Sequence, residues 1–107
     1  MSFLTFVTMT PLGKGESVSS YVAEVVDIIK DSKLPYVVTP MGTIVEGETW
    51  DEVMGVLKQG FLRMKEKCRR VSLVIKVDYR KGKSGRIKAK IKSLEDKLNT
   101  DIAKLDE

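Results

Sequence analysis

The chain predicts an α+β sandwich, with a four-stranded antiparallel sheet, two helices on one face and a further C-terminal helix. Three observations lead there. Val71 to Tyr79 alternates residue types with the period of a strand. Two stretches, one from Val18 and one from Val53, carry apolar residues at three- and four-residue steps, the period of a helix. Strand-like runs stand before, between and after them. The resulting order is β-α-β-β-α-β, followed by a charged third helix.

Each element has its own signal. Ser2 to Thr10 is rich in Phe, Val, Leu and Thr and reads as the first strand. Pro11-Leu12-Gly13-Lys14-Gly15 is a turn-rich loop. Ser17 is placed to cap the first helix, whose apolar residues are Val18, Val22, Val25 and Ile29. Leu34-Pro35 closes that region, and Tyr36 to Thr39 is a short strand. Met41 to Glu46 is the next strand. Thr49 and Glu52 form a Thr-x-x-Glu capping box before a helix carrying Val53, Val56, Leu57, Phe61, Met64 and Cys68. In the last strand Val71, Leu73, Ile75, Val77 and Tyr79 are expected to meet the helices. Ser72, Val74, Lys76, Asp78 and Arg80 lie on the second face, open to solvent unless a subunit or ligand covers it. Two split β-α-β units of this kind suggest a ferredoxin-like sandwich. Residues 1–107 form one such domain, with 81–107 as a charged helical extension. Its stripe is Ile87, Ile91, Leu94, Leu98, Ile102 and Leu105, with a break expected at Asn99-Thr100-Asp101.

Composition removes several function classes. The chain has 107 residues, enough for one small core. No apolar run approaches the ~20 residues that span a bilayer, and the N-terminus reads as a strand, not a signal peptide. The single Cys68 has no internal partner, consistent with a cytoplasmic location. There is no histidine, so a Ser-His-Asp triad, a Cys-His dyad and any His-ligated metal site are excluded. Cys68 lies between Lys67 and Arg69, which favour a thiolate, but at the end of an amphipathic helix it reads as a packing residue.

Glu46 is the residue that most asks for an explanation. It sits in an otherwise apolar strand, just before a glycine turn and a helix. A buried carboxylate is costly unless it is paired or hydrogen-bonded, and a small-molecule ligand is one candidate partner. A solvent-facing place at the strand end is the alternative. Lys76, Asp78 and Arg80 are likewise either a solvated face or the polar wall of a site. Phe3, Phe6 and Met9 read as core, with an apolar ligand wall as the other possibility, and Trp50 reads as a packing anchor.

The block Pro40-Met41-Gly42-Thr43 with Glu46-Gly47 resembles a motif of the small thiamine-binding family of ferredoxin-like proteins. Pro11-Leu12-Gly13, Ser17-Val18-Ser19, Val22, Trp50-Asp51-Glu52-Val53, Arg70-Val71 and Lys76-Val77-Asp78-Tyr79-Arg80 fall in the right order for it, over nearly the whole chain. The resemblance implies a non-enzymatic protein, a homotetramer built as a dimer of dimers, that binds thiamine or its hydroxymethylpyrimidine moiety. It implies no other cofactor and no metal. The site residues it points to are Thr43, Glu46, Lys76, Asp78 and Arg80, with Ser17 and Ser19 near the first loop. In that reading Glu46 accepts from the exocyclic amine of the pyrimidine, Thr43 serves either polarity, and Asp78 offsets the thiazolium charge. Lys76 or Arg80 holds the acidic groups in place.

Two other classes stand beside it. RNA binding fits the topology and the net charge of +4, from 19 basic and 15 acidic residues. The third strand, however, has no aromatic on which to stack a base, which leaves a phosphate-only mode through the basic arm from Lys81 to Lys92. That arm is variable among the proteins the chain resembles and carries no family role. A regulatory or assembly module is the other class, with the open sheet face and the last helix making subunit contacts.

Overall fold

A computed structural model describes residues 1–104 of the chain. It contains β1 (Ser2–Leu12), α1 (Ser19–Asp31), β2 (Tyr36–Thr39), β3 (Gly42–Gly47), α2 (Trp50–Lys67), β4 (Arg70–Arg80) and α3 (Arg86–Leu98). The sheet is antiparallel throughout, in the order β2-β3-β1-β4. The predicted α+β class and element order are therefore present. Leu105, the end of the expected stripe, lies outside the described residues.

Strand alternation sorts the sheet into two faces. On the first, Val7 and Met9 of β1 and Val45 of β3 meet Val25 and Ile29 of α1 and Val53, Leu57 and Met64 of α2. All are buried. Each such side chain contributes about 1.5–3 kcal/mol over its exposed state, which is why the helices settle on this face. Cys68 is buried in the same core, in agreement with a packing role. Trp50 is half-exposed and meets the core only through an edge-on contact with Phe3, at 6.2 Å between centroids.

The second face is read from the strand register. Leu4 lies between Glu46 and Asp78, and Phe6 between Ile44 and Lys76. This face is not open over its whole area, as the sequence suggested, because α3 folds back across the end that carries Glu46 and Asp78. The helix occupies Arg86–Leu98 only, and its C-cap Asn99 adopts the left-handed conformation that ends it, at the expected break.

Two local expectations need correction. Ser17 caps nothing: α1 begins at Ser19, its N-cap is Val18, and no side chain bonds the free amides there. The apolar side of β4 is only partly covered. Val71 and Ile75 pack on the core, whereas Leu73 and Tyr79 remain exposed, because β4 is an edge strand at the margin of α2. The α2 start does follow its sequence signal. Thr49 accepts a hydrogen bond from the Glu52 amide at 3.1 Å, and its hydroxyl donates to the Glu52 carboxylate at 3.2 Å.

Candidate functional site

Of the seven sequence candidates, five divide between the two faces of the sheet and two lie off it. Thr43 has the parity of Val45 and points toward the helices. Glu46, Lys76, Asp78 and Arg80 share the opposite face. Ser17 and Ser19 are exposed beyond the far end of β1 from Glu46, at the start of α1. They do not form one site.

On the helix side, α1 and the β2–β3 hairpin enclose a cavity of about 210 Å³. Val22, Val25, Val26 and Ile29 of α1 form one wall, and of these Val22, Val25 and Ile29 belong to the helical stripe read in the sequence. The hairpin residues Val38, Thr39, Pro40, Met41, Gly42 and Thr43 form the other, and β1 supplies the floor from Val7 to Thr10. The hairpin is held shut by Thr39, whose hydroxyl donates to the Gly42 carbonyl and accepts from the Met41 and Gly42 amides. Among the described residues the lining is apolar except for threonines, and none of it is charged. Thr43 is buried there. Met9, raised from sequence as a possible apolar wall, does line the cavity, whereas Phe3 and Phe6 do not. Sequence reasoning missed Thr8, Thr10, Val22 and Val26 as lining residues. Val22 and Val26 carry the same helical spacing that marks core, and Thr8 and Thr10 have the parity of the outer face, so nothing local marked them as lining residues.

The opposite face is a closed ionic arrangement. Glu46 is 4 % exposed, and both its oxygens are occupied. Oε2 accepts from the Ser2 hydroxyl at 2.6 Å and the Arg86 amide at 2.9 Å, and Oε1 accepts from the Ile87 amide at 3.2 Å. Burial pushes this carboxyl upward. The Arg86 amide, the Ser2 hydroxyl, the Ile87 amide and the Arg86 charge outweigh that effect and hold it below the ordinary glutamate value. Asp78 pairs with Lys90, whose hydrogen bond and charge hold it low as well. Lys92 pairs with Asp96. Lys90 and Lys92 of the basic arm are thus already committed within the chain. Among the described residues no group of three His, Cys, Asp or Glu side chains is placed to hold a metal ion, and no helix is long and apolar enough to cross a membrane.

Comparison with known proteins matches residues 5–95 to a family model described as thiamine-binding protein. A UPF0045 protein of Mycobacterium bovis is 40% identical over 95 residues, covering 89% of this chain and 93% of that protein. A UPF0045 protein of Methanocaldococcus jannaschii is 35% identical over 88 residues, covering 82% and 87%. A crystal structure of a Methanocaldococcus protein superposes with a TM-score of 0.80 at 33% identity, over 87% of this chain and 95% of that one.

Proposed function

The chain belongs to the thiamine-binding protein family, and from that membership and the cavity we propose that it binds a single-ring heterocycle, the hydroxymethylpyrimidine part of thiamine, between α1 and the β2–β3 hairpin. The observation that carries this reading is the character of the cavity: small, uncharged and lined by apolar residues and threonines. Drug-sized ligands occupy pockets of about 300–1,000 Å³. A space of about 210 Å³ suits one ring. An aminopyrimidine offers apolar faces to Val22, Val26 and Met9, and a donor and acceptor edge to Thr43, whose hydroxyl serves either polarity. A thiazolium cation buried among uncharged residues would lose its hydration without a partner. In this reading it therefore projects outward past Met41, which is 81% exposed at the hairpin tip.

Of the sequence candidates, Thr43 belongs to this proposal, and Ser17 and Ser19 stand at the start of the helix that walls the cavity. Glu46, Lys76, Asp78 and Arg80 are on the other face and take no direct part. Calorimetric titration with hydroxymethylpyrimidine and with thiamine tests the reading. Both should bind the wild-type chain, and neither should bind Val26→Trp, which fills the cavity. Unaltered binding by a folded Val26→Trp protein would move the site elsewhere.

The proposal includes a cytoplasmic, non-enzymatic homotetramer. Its support is the long outer edge of β4 and the exposed Leu73, Val74 and Tyr79 on that strand. Light scattering at micromolar concentration should give the mass of a tetramer, and a monomer mass would remove that part of the proposal.

A further inference from the structure

The α3 helix is attached differently from α1 and α2. None of its residues is fully buried, and Leu94 and Leu98 are 50% and 60% exposed. Ile87 and Ile91 are only half-buried. Its docking rests on polar contacts at its first two turns. Glu46 receives the Arg86 and Ile87 amides, two of the donors that a helix N-terminus leaves without a partner in the helix. Lys90 pairs with Asp78 one turn later. Leu4 lies in register between Glu46 and Asp78, beneath this pair of attachments. The linker from β4 contains Gly82 and Gly85, both in left-handed conformations that suit glycine and suit a pivot.

We propose that α3 is a detachable strap over the outer sheet face, latched by the ionised Glu46 carboxylate, and that it can leave while the β-α-β-β-α-β body stays folded. The physical basis is an imbalance. The body is held by apolar side chains buried between the sheet and α1–α2. The strap buries no side chain fully and is anchored at its first turn by one carboxylate, whose charge strengthens the two hydrogen bonds it accepts from α3 amides and the one from Ser2. Neutralising that carboxylate converts charge-assisted acceptors to ordinary ones and removes the attraction to the positive end of the helix dipole. Charged groups near the latch include Arg86 and Lys90 on α3 and Asp78 and Arg80 on β4; β1 contributes the uncharged Ser2. The Asp78 carboxyl is also held below its ordinary value by Lys90, so acid weakens the second attachment as well. Release uncovers Leu4 together with Ile87 and Ile91, an apolar strip that the closed form covers in part.

Hydrogen–deuterium exchange on the full-length chain at neutral pH tests the strap, comparing wild type with Glu46→Gln. Amide protection within 86–98 should fall about tenfold or more, in line with losing a charge-assisted bond. Protection in β1, β3 and α2 should remain well above that of 86–98 in both proteins, since those amides exchange only when the body itself opens. Unchanged protection of α3, or sheet amides protected no better than those of α3, would overturn the proposal. Acid titration of the wild-type chain by amide NMR covers the case in which Glu46→Gln does not fold. The Arg86 and Ile87 resonances should titrate together below the ordinary glutamate range, with α3 losing its native resonances in that step while β1 and β3 keep theirs. Simultaneous loss of both sets would count against a separable strap.

Discussion

Thr43 and Glu46 are three residues apart in β3 and on opposite faces of the sheet. Thr43 looks into the cavity beneath α1. Glu46 looks away from it, into the N-terminus of α3. One short motif thus serves two independent purposes, and substitutions at its two ends should have separable effects.

Ligand affinity should follow Thr43. Thr43→Val keeps the shape and removes the hydroxyl, so hydroxymethylpyrimidine binding should weaken by about 1 kcal/mol, roughly fivefold. Glu46→Gln should alter it much less. Calorimetry on both variants checks this, and the reverse order of effects would place the ligand on the α3 side.

Thr5 offers a stabilising substitution. It is fully buried, its Oγ1 has no hydrogen-bond partner, and it has the parity of Val7 and Val45. A buried hydroxyl left without a partner is destabilising by about 1–3 kcal/mol. Thr5→Val should therefore raise the unfolding free energy by about 1 kcal/mol in denaturant titration. A loss of stability would mean that the hydroxyl has a partner in solution.

The two helical glycines of α2 should respond in opposite directions. A Cβ at Gly55 meets nothing within 4 Å, so Gly55→Ala should stabilise by about 0.5–1 kcal/mol through chain entropy. A Cβ at Gly60 would come 2.9 Å from Val25 Cγ1 of α1. Gly60→Val should destabilise by about 1–3 kcal/mol by overpacking. Thermal melts of the pair decide it: equal shifts would deny the close contact.

Acid should destabilise the chain in a way that depends on Glu46. Its carboxyl is held below the ordinary value of 4.5, so its contribution is fully present above that value in pH. It is lost as pH falls through the lowered one. Asp78 and Glu95 shift in the same direction. Calorimetric melting between neutral and acid pH should show wild type losing stability steeply. Glu46→Gln should start lower, by about 2 kcal/mol, and decline less. Parallel curves would show that Glu46 is not the group responsible.

Local signals carried most of the fold. The Thr49 cap, the β4 alternation and the α2 stripe each depend on residues a few positions apart, and each element formed where they point. Ser17 failed as a cap because α1 starts two residues later with Val18 at the boundary. For Glu46, the need for a partner was legible in its apolar strand, but the partner was not: Arg86 and Ile87 are 40 and 41 residues away. The cavity was hidden for the same reason, since Val22 and Thr43 meet only when α1 lies beside the hairpin. The separation of Thr43 from Glu46 was legible, because an odd offset in a strand always changes face.

Phe6 points to the outer face, yet a Cβ at Gly42 would meet its Cζ at 2.5 Å, and Gly42 is part of the cavity wall. At this point the sheet is a partition one residue thick, braced from behind by an aromatic ring. A bulkier side chain at 42 would have to displace that ring or move the hairpin. A smaller one in place of Phe6 would remove the backing from the wall of a cavity that Phe6 does not line. The pocket's shape is thereby set partly by a residue on the far side of the sheet, where a search confined to the lining would not look.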